Sequence, residues 1–175
     1  VRTFDELETL WTQSAPANPD RGTIRLICQR TGNGRHETPE RAELSVQRGL
    51  LGDRWEAGEN RKPDAQITLM NHRVAELIAD GGALHAPGDN FLVDLDLSVA
   101  AMPAGTRIRL GGAVVEVTDE PHMGCKKFSA RFGQDALRWI NWKDHRERRL
   151  RGINCRVVEP GPVGVGDDAV VAHRP

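Results

Sequence analysis

The sequence predicts a mainly β protein: a compact, mostly antiparallel barrel with two or three peripheral helices. Three observations lead there. Apolar residues recur at a spacing of two in many short runs bounded by Gly, Pro, Asn and Asp, the pattern of half-buried strands. Strands and helices do not alternate regularly, as a doubly wound parallel sheet would require. So many short strands leave unpaired edges unless the sheet closes on itself. The 175 residues fit one domain. We read a helical prelude and linker over 1–22 and a single barrel domain over 23–175.

The elements follow in order. Phe4 to Trp11 reads as one or two helical turns, with Asp5 near the start and Leu7 and Leu10 on one face. Pro16, Asn18, Pro19, Asp20 and Gly22 mark a linker. Thr23 to Gln29 is the first strand, and Asn33-Gly34 is a strong turn signal. Ala42 to Val46 is a short strand, Gly49 to Trp55 a glycine-punctuated turn, and Gln66 to Met70 another strand. Asn71 then suits a helix N-cap, with Val74, Leu77 and Ile78 on one side and Gly81-Gly82 at the end. Gly88 to Ser98 alternates acidic and apolar residues as an edge or barrel strand can. Thr106–Leu110 and Ala113–Thr118 form a hairpin through Gly111-Gly112. Residues 134–143 are a helix, 153–159 a strand, 160–166 a turn and 169–172 a final strand.

Lys and Arg number 24 against 25 Asp and Glu, a net charge of −1, so nothing in the bulk charge argues for nucleic acid. No signal peptide or membrane span is legible, and a cytoplasmic location is expected. The run Arg146 to Arg151 reads first as a solvated helix end and, as a functional alternative, as a site for a small anionic ligand or a partner protein, with Trp139 and Trp142 beside it.

The three cysteines lack disulfide-scaffold spacing. Cys28 and Cys155 fall in strands and are expected to be buried. Cys125 differs: it lies in Glu120-Pro121-His122-Met123-Gly124-Cys125-Lys126-Lys127-Phe128, between a His and two Lys. Cationic neighbours favour the thiolate, which is both a sulfur nucleophile and a soft-metal ligand. His122 is a candidate proton carrier beside it. His122-x-x-Cys125 is also a fragment of a zinc site, with His72, His85, Asp94, Asp96 and His145 as conceivable completers. Asp94 and Asp96 share a strand face and suit either a carboxylate pair or a solubilising edge. Phe128 and Phe132 suit a packing stripe.

At Cys125 the chain resembles the MOSC family, named for the C-terminal domain of molybdenum cofactor sulfurase. The resemblance rests on Gly49-Leu50-Leu51-Gly52-Asp53-Arg54-Trp55, Gln66-Ile67-Thr68-Leu69-Met70-Asn71, and Gly88-Asp89-Asn90-Phe91, where Asp89 replaces the more usual Glu. It continues through Ile108–Thr118, Pro121–Phe128, Gly152-Ile153-Asn154, Pro160-Gly161 and Gly166-Asp167, covering roughly residues 23 to 172. It implies a β-barrel and a molybdenum–pterin cofactor or activated sulfur handled through Cys125. Cys125 would ligate molybdenum, or carry a persulfide received from a desulfurase. The cofactor route implies a small N-hydroxylated substrate and an electron-donor protein. Candidates for holding cofactor phosphate and pterin are Arg54, Arg61, Lys62, Asn71, Asn90, Arg146, Arg149 and Asn154. The 175 residues include neither the N-terminal β-rich domain of longer relatives nor a pyridoxal-phosphate desulfurase domain.

Overall fold

The computed structural model describes residues 1–175. Seven strands close a barrel: β1 (Arg21–Ile27), β6 (Ile67–Asn71), β7 (Phe91–Val93), β8 (Arg107–Leu110), β9 (Ala113–Val117), β10 (Ile153–Glu159) and β12 (Asp168–His173). Their order is β1-β12-β8-β9-β10-β6-β7, and β7 returns to β1. Every pairing is antiparallel except β6 with β7. That parallel pair needs a crossover, which α2 (His72–Ala79) supplies. Asn71 caps this helix, its side chain accepting from the Arg73 and Val74 amides.

Outside the barrel, β2 (Gln29–Gly32) and β3 (Arg35–Glu37) form a hairpin. A small sheet is ordered β11-β4-β5, from β4 (Arg41–Ser45), β5 (Gly49–Leu50) and β11 (Gly161–Gly164). The segment 160–166, expected as a turn, thus contributes a strand. Pro162 can sit there because β11 is an edge, where a missing N–H costs no ladder bond.

Two apolar bodies hold the fold. One fills the barrel, with Ile24, Leu69, Phe91, Ile108, Val115 and Cys155 among its fully buried members. The other lies between the barrel wall and the helices, around Leu7, Met70, Leu77, Phe128 and Trp139. Four short α-helices surround the barrel, one more than expected. They are α1 (Phe4–Thr12), α2, α3 (Lys126–Phe132) and α4 (Gln134–Ile140). Phe128 and Phe132 anchor α3, with ring centroids 4.7 Å apart. Gly133, at φ +89°, separates α3 from α4. The prelude helix α1 starts one position before the Asp5 signal. Thr3 caps it and Glu6 returns the bond to the Thr3 amide. Leu7 is buried, and Glu8 accepts from Trp139 Nε1 and approaches His145 Nε2, both at 2.9 Å.

The alternating run over 88–98 is strand only at Phe91–Val93, where all three residues are buried. These residues run between β6 and β1 and face protein on both sides. Asp94 and Asp96 lie beyond the strand: Asp94 pairs with Arg25 at 3.1 Å, and Asp96 caps the Ser98 amide at 2.9 Å. They form no carboxylate pair. No helix is long and apolar enough to cross a membrane.

Candidate functional site

The loop between β9 and α3 carries Cys125 out of the barrel. The thiol is exposed, whereas Cys28 and Cys155 are buried. Two asparagines fix the loop from opposite sides. Asn154 on β10 donates to the carbonyls of Glu120 (3.1 Å) and Pro121 (3.2 Å). Asn141, just after α4, accepts the Gly124 N–H and donates to the Gly124 carbonyl. Gly124 also lies tight against α4: a Cβ there would come within 2.6 Å of Ile140 Cδ1. At the far wall Gly152 turns the chain into β10 at φ +106°, with its Cα side against the Leu69 carbonyl, where a Cβ would lie 2.1 Å from the oxygen. Only glycine fits there.

Cys125 begins α3 in extended conformation. Its sulfur makes no capping hydrogen bond, yet its pKa is lowered. The Phe128 N–H dipole contributes most, followed among the favourable causes by the Lys127 N–H and the charges of Arg151 and Lys127. Burial does the reverse to the other thiols, pushing Cys28 up to about 12 and raising Cys155 as well.

Cys125 opens onto a cleft of ≈ 550 Å³. Its cationic lining is Arg30, Arg35, Arg54, Lys127, Arg131 and Arg151, and no carboxylate lines it. Three of these cations are tied down. Arg30 pairs through two nitrogens with Asp53, Arg131 donates to the Ala86 carbonyl, and Arg151 pairs with Asp89. Arg35, Arg54 and Lys127 are exposed and pair with no acid. The cleft is therefore electropositive, with three anchored cations and three exposed ones that pair with no acid.

Asp89, where the family pattern has Glu, is completely buried at the base. It takes His122 Nε2 at 2.8 Å and the Arg151 guanidinium. Burial alone would raise its pKa, but Arg151 and then His122 hold it below the usual carboxylate range. With Asp89 ionised, the Nε2 of neutral His122 must carry the proton, and Nδ1 is the free nitrogen. Burial outweighs Asp89 and lowers the His122 pKa, so the ring is neutral. Arg151 Nε is buried without a partner.

Of the candidates read from sequence, Cys125, His122 and Arg54 meet at this cleft. Asn154 lies behind it and acts on the loop. Asn90 is fully buried, its amide spent on Thr68, Cys28 and Asp53. Asn71 is spent on its helix cap and the Leu95 carbonyl. Arg61 stacks over Trp55 and Lys62 pairs with Glu120 at 2.6 Å, both on an exposed loop. Arg146 and Arg149 line a different cleft. No three His, Cys, Asp or Glu side chains are placed to hold a metal ion. His85 meets His36 (Nδ1 to Nδ1, 3.2 Å), and His145 meets Glu8, so neither completes a zinc site with His122 and Cys125. Sequence reasoning missed Arg30, Arg35, Arg131, Arg151 and Asn141. Only Arg151 carried a signal, as the end of the basic run.

Comparison with known proteins agrees with this architecture. A family model, the MOSC domain, matches residues 63–170. No curated protein matches the chain. Among solved structures the chain is similar to the YUAD protein from Bacillus subtilis, with 18% identity, 85% of this chain and 94% of that one covered, and a TM-score of 0.58. It is also similar to YiiM from Escherichia coli, with 18% identity, 92% and 72% covered, and a TM-score of 0.60. YiiM from Geobacillus stearothermophilus gives 18% identity, 87% and 76% covered, and a TM-score of 0.55. At these identities the likeness is one of fold. The family match runs from the turn before β6 into β12 and takes in the Cys125 loop, so the chain belongs to the MOSC domain family.

Proposed function

We propose that the chain handles activated sulfur through Cys125, as a persulfide carrier or cofactor-binding module that works with a partner protein and has no redox turnover of its own. One observation carries this reading: an exposed thiol of lowered pKa opens onto a cationic cleft without carboxylates. The partner in this reading is a desulfurase bearing a cysteine persulfide. The Cys125 thiolate attacks the outer sulfur of that persulfide. A sulfur–sulfur bond forms at Cys125, the donor's sulfur–sulfur bond breaks, and the donor cysteine leaves as its thiolate. Sulfur moves with no net electron change. Lys127 and Arg151 stabilise the anion on Cys125, and the free Nδ1 of His122 accepts the persulfide proton.

The family also implies a molybdenum–pterin cofactor, and the residues present suit one. Such a group needs a single soft protein ligand, for which Cys125 is placed, and cations for its phosphate, for which Arg35, Arg54 and Lys127 are free. When bound, it would supply oxygen-atom chemistry of its own, as in reduction of an N-hydroxylated molecule. Zinc suits the site poorly, because it asks for three or four protein ligands.

The test is incubation with a pyridoxal-phosphate cysteine desulfurase and L-cysteine, followed by intact mass. The carrier gains about 32 Da, one sulfur atom, removed by dithiothreitol and absent in Cys125→Ser. No adduct, with molybdenum bound near one equivalent and lost in Cys125→Ser, would overturn the carrier reading in favour of the cofactor.

A further inference from the structure

A second cleft, ≈ 450 Å³, lies on the other side of the Cys125 loop. The loop is the partition: Pro121, His122 and Met123 line the second cleft, and His122, Cys125 and Arg151 border the thiol cleft. His122 and Arg151 face both.

The wall of the second cleft is unusually apolar for exposed surface. Met123 is 60% exposed, Val99 41% and Trp142 38%, and these three are half of the large hydrophobic residues exposed anywhere on the protein. Exposed apolar side chains gathered around one concavity mark a binding site more often than chance. The Trp142 ring is held in place. Its Nε1 donates to Asp144 at 3.1 Å, and the ring meets that of Phe4 in a T-shaped contact at a centroid distance of 5.4 Å. The indole therefore has no spare donor, and what it offers the cleft is its π surface.

Most polar groups of the wall are already bonded within the protein. Asn141 and Asn154 are spent on the loop backbone. His145 is spent on the Trp139 carbonyl and Glu8, Arg149 on the Met102 carbonyl, and Glu120 on Lys62. Two charged groups make no ion pair or hydrogen bond within the protein: the guanidinium of Arg146 and the carboxylate of Asp119. A ligand matched to this wall has a flat aromatic body, an anionic group for Arg146 and a hydrogen-bond donor for Asp119.

We infer that this second cleft is a binding site for a flat aromatic anion bearing an N–H or O–H donor, seated on Trp142 and Met123 with its charge at Arg146. The occupant would sit one loop away from the thiol, in contact with the same His122.

The probe is 8-anilinonaphthalene-1-sulfonate, which has an aromatic body, an anilino N–H and a sulfonate. Its neutral counterpart is N-phenyl-1-naphthylamine. Both are titrated by fluorescence against the intact protein. Met123→Ser, at an exposed position, weakens both probes. Arg146→Gln weakens the anionic probe about five-fold, the scale of one exposed ion pair, and leaves the neutral one unchanged. Val165→Ser, an exposed apolar residue outside the cleft, changes neither. Equal loss with Val165→Ser and Met123→Ser would overturn the site, as would unchanged binding in Met123→Ser. Equal weakening of both probes by Arg146→Gln would overturn the assignment of the charge. None of these readouts depends on sulfur transfer, so the inference can fail while the carrier reading stands.

Discussion

Asn141 grips the peptide backbone at Gly124 with both ends of its amide: Oδ1 accepts the Gly124 N–H at 3.0 Å, and Nδ2 donates to the Gly124 carbonyl at 3.1 Å. A side chain at the end of α4 thereby copies the pairing of a β-ladder and holds the residue next to the proposed sulfur-bearing cysteine. The geometry of the thiol is set from outside its own helix.

Replacing Asn141 by Ala removes both bonds while leaving α4 intact. Two hydrogen bonds at about 1 kcal/mol each suggest a loss of ~1–3 kcal/mol. The loss should appear as a lower urea midpoint. It should also appear as faster amide exchange confined to the loop over 121–127. Unchanged exchange there would mean that Asn154 and α3 hold the loop without Asn141.

The three cysteines should separate cleanly by reactivity. Cys125 is exposed with a lowered pKa, and Cys28 and Cys155 are buried with raised ones. Native protein treated with iodoacetamide should gain one adduct, on Cys125, and denatured protein three. The rate should follow a titration whose midpoint lies below the ordinary thiol value of about 8.5. In Lys127→Gln the midpoint should move up, because one cationic contribution is gone. A native midpoint at or above 8.5 would contradict the electrostatic account of the site.

Much of this was legible in the sequence. The hairpin through Gly111-Gly112 and the Asn71 cap follow from local patterns, and the structure reproduces them; the charged Pro/Gly setting of Cys125 set it apart from the other two thiols, and its exposure came with the fold. What was not legible is what arrives from far along the chain. Arg30 on the β2–β3 hairpin and Arg131 on α3 are about a hundred residues apart, and only the fold puts them on one cleft. Helix α3 was hidden because its apolar content is little more than Phe128 and Phe132 in a polar segment. The strand at Gly161–Gly164 was hidden because glycine and proline read as turn, while its pairing with β4 is a tertiary fact. Asp89 was visible as a family position, but not as the buried partner of His122 and Arg151.

The Asp89–His122 pair makes stability depend on pH in a definite direction. His122 has a lowered folded pKa, so the unfolded chain takes up a proton that the native state refuses. Stability therefore falls as pH drops below about 6.5, the unfolded histidine value. Asp89 has a lowered folded pKa, so its contribution is present above about 3.9 and is lost as pH falls further toward the folded value. Both slopes have the same sign. In His122→Gln the upper limb should shrink to the part owed to His36, whose pKa burial also lowers, and the lower limb should remain, measured as urea midpoints from about pH 8 to about pH 2. An upper limb undiminished in that variant would place its whole origin in His36 and none in His122.

Gly124 gives the sharpest packing test, because the obstruction to a side chain is already named. A Cβ would lie 2.6 Å from Ile140 Cδ1 and 2.8 Å from Leu137 Cδ1, closer than real contacts allow. Both atoms are tips of flexible side chains on α4, so Gly124→Ala should fold but pry the loop from the helix. Overpacking of this kind costs ~1–3 kcal/mol. It should also lengthen the two Asn141 bonds, so the effects of Gly124→Ala and Asn141→Ala should add to less than their sum. Ile140→Val removes the nearer methyl. On the Gly124→Ala background it should therefore recover part of the lost stability, although the same change alone costs about 0.5–1.5 kcal/mol. The double-mutant cycle, read from urea midpoints, decides between contact and backbone strain. Full additivity of Gly124→Ala and Ile140→Val would mean that Ile140 is not what excludes a side chain at Gly124.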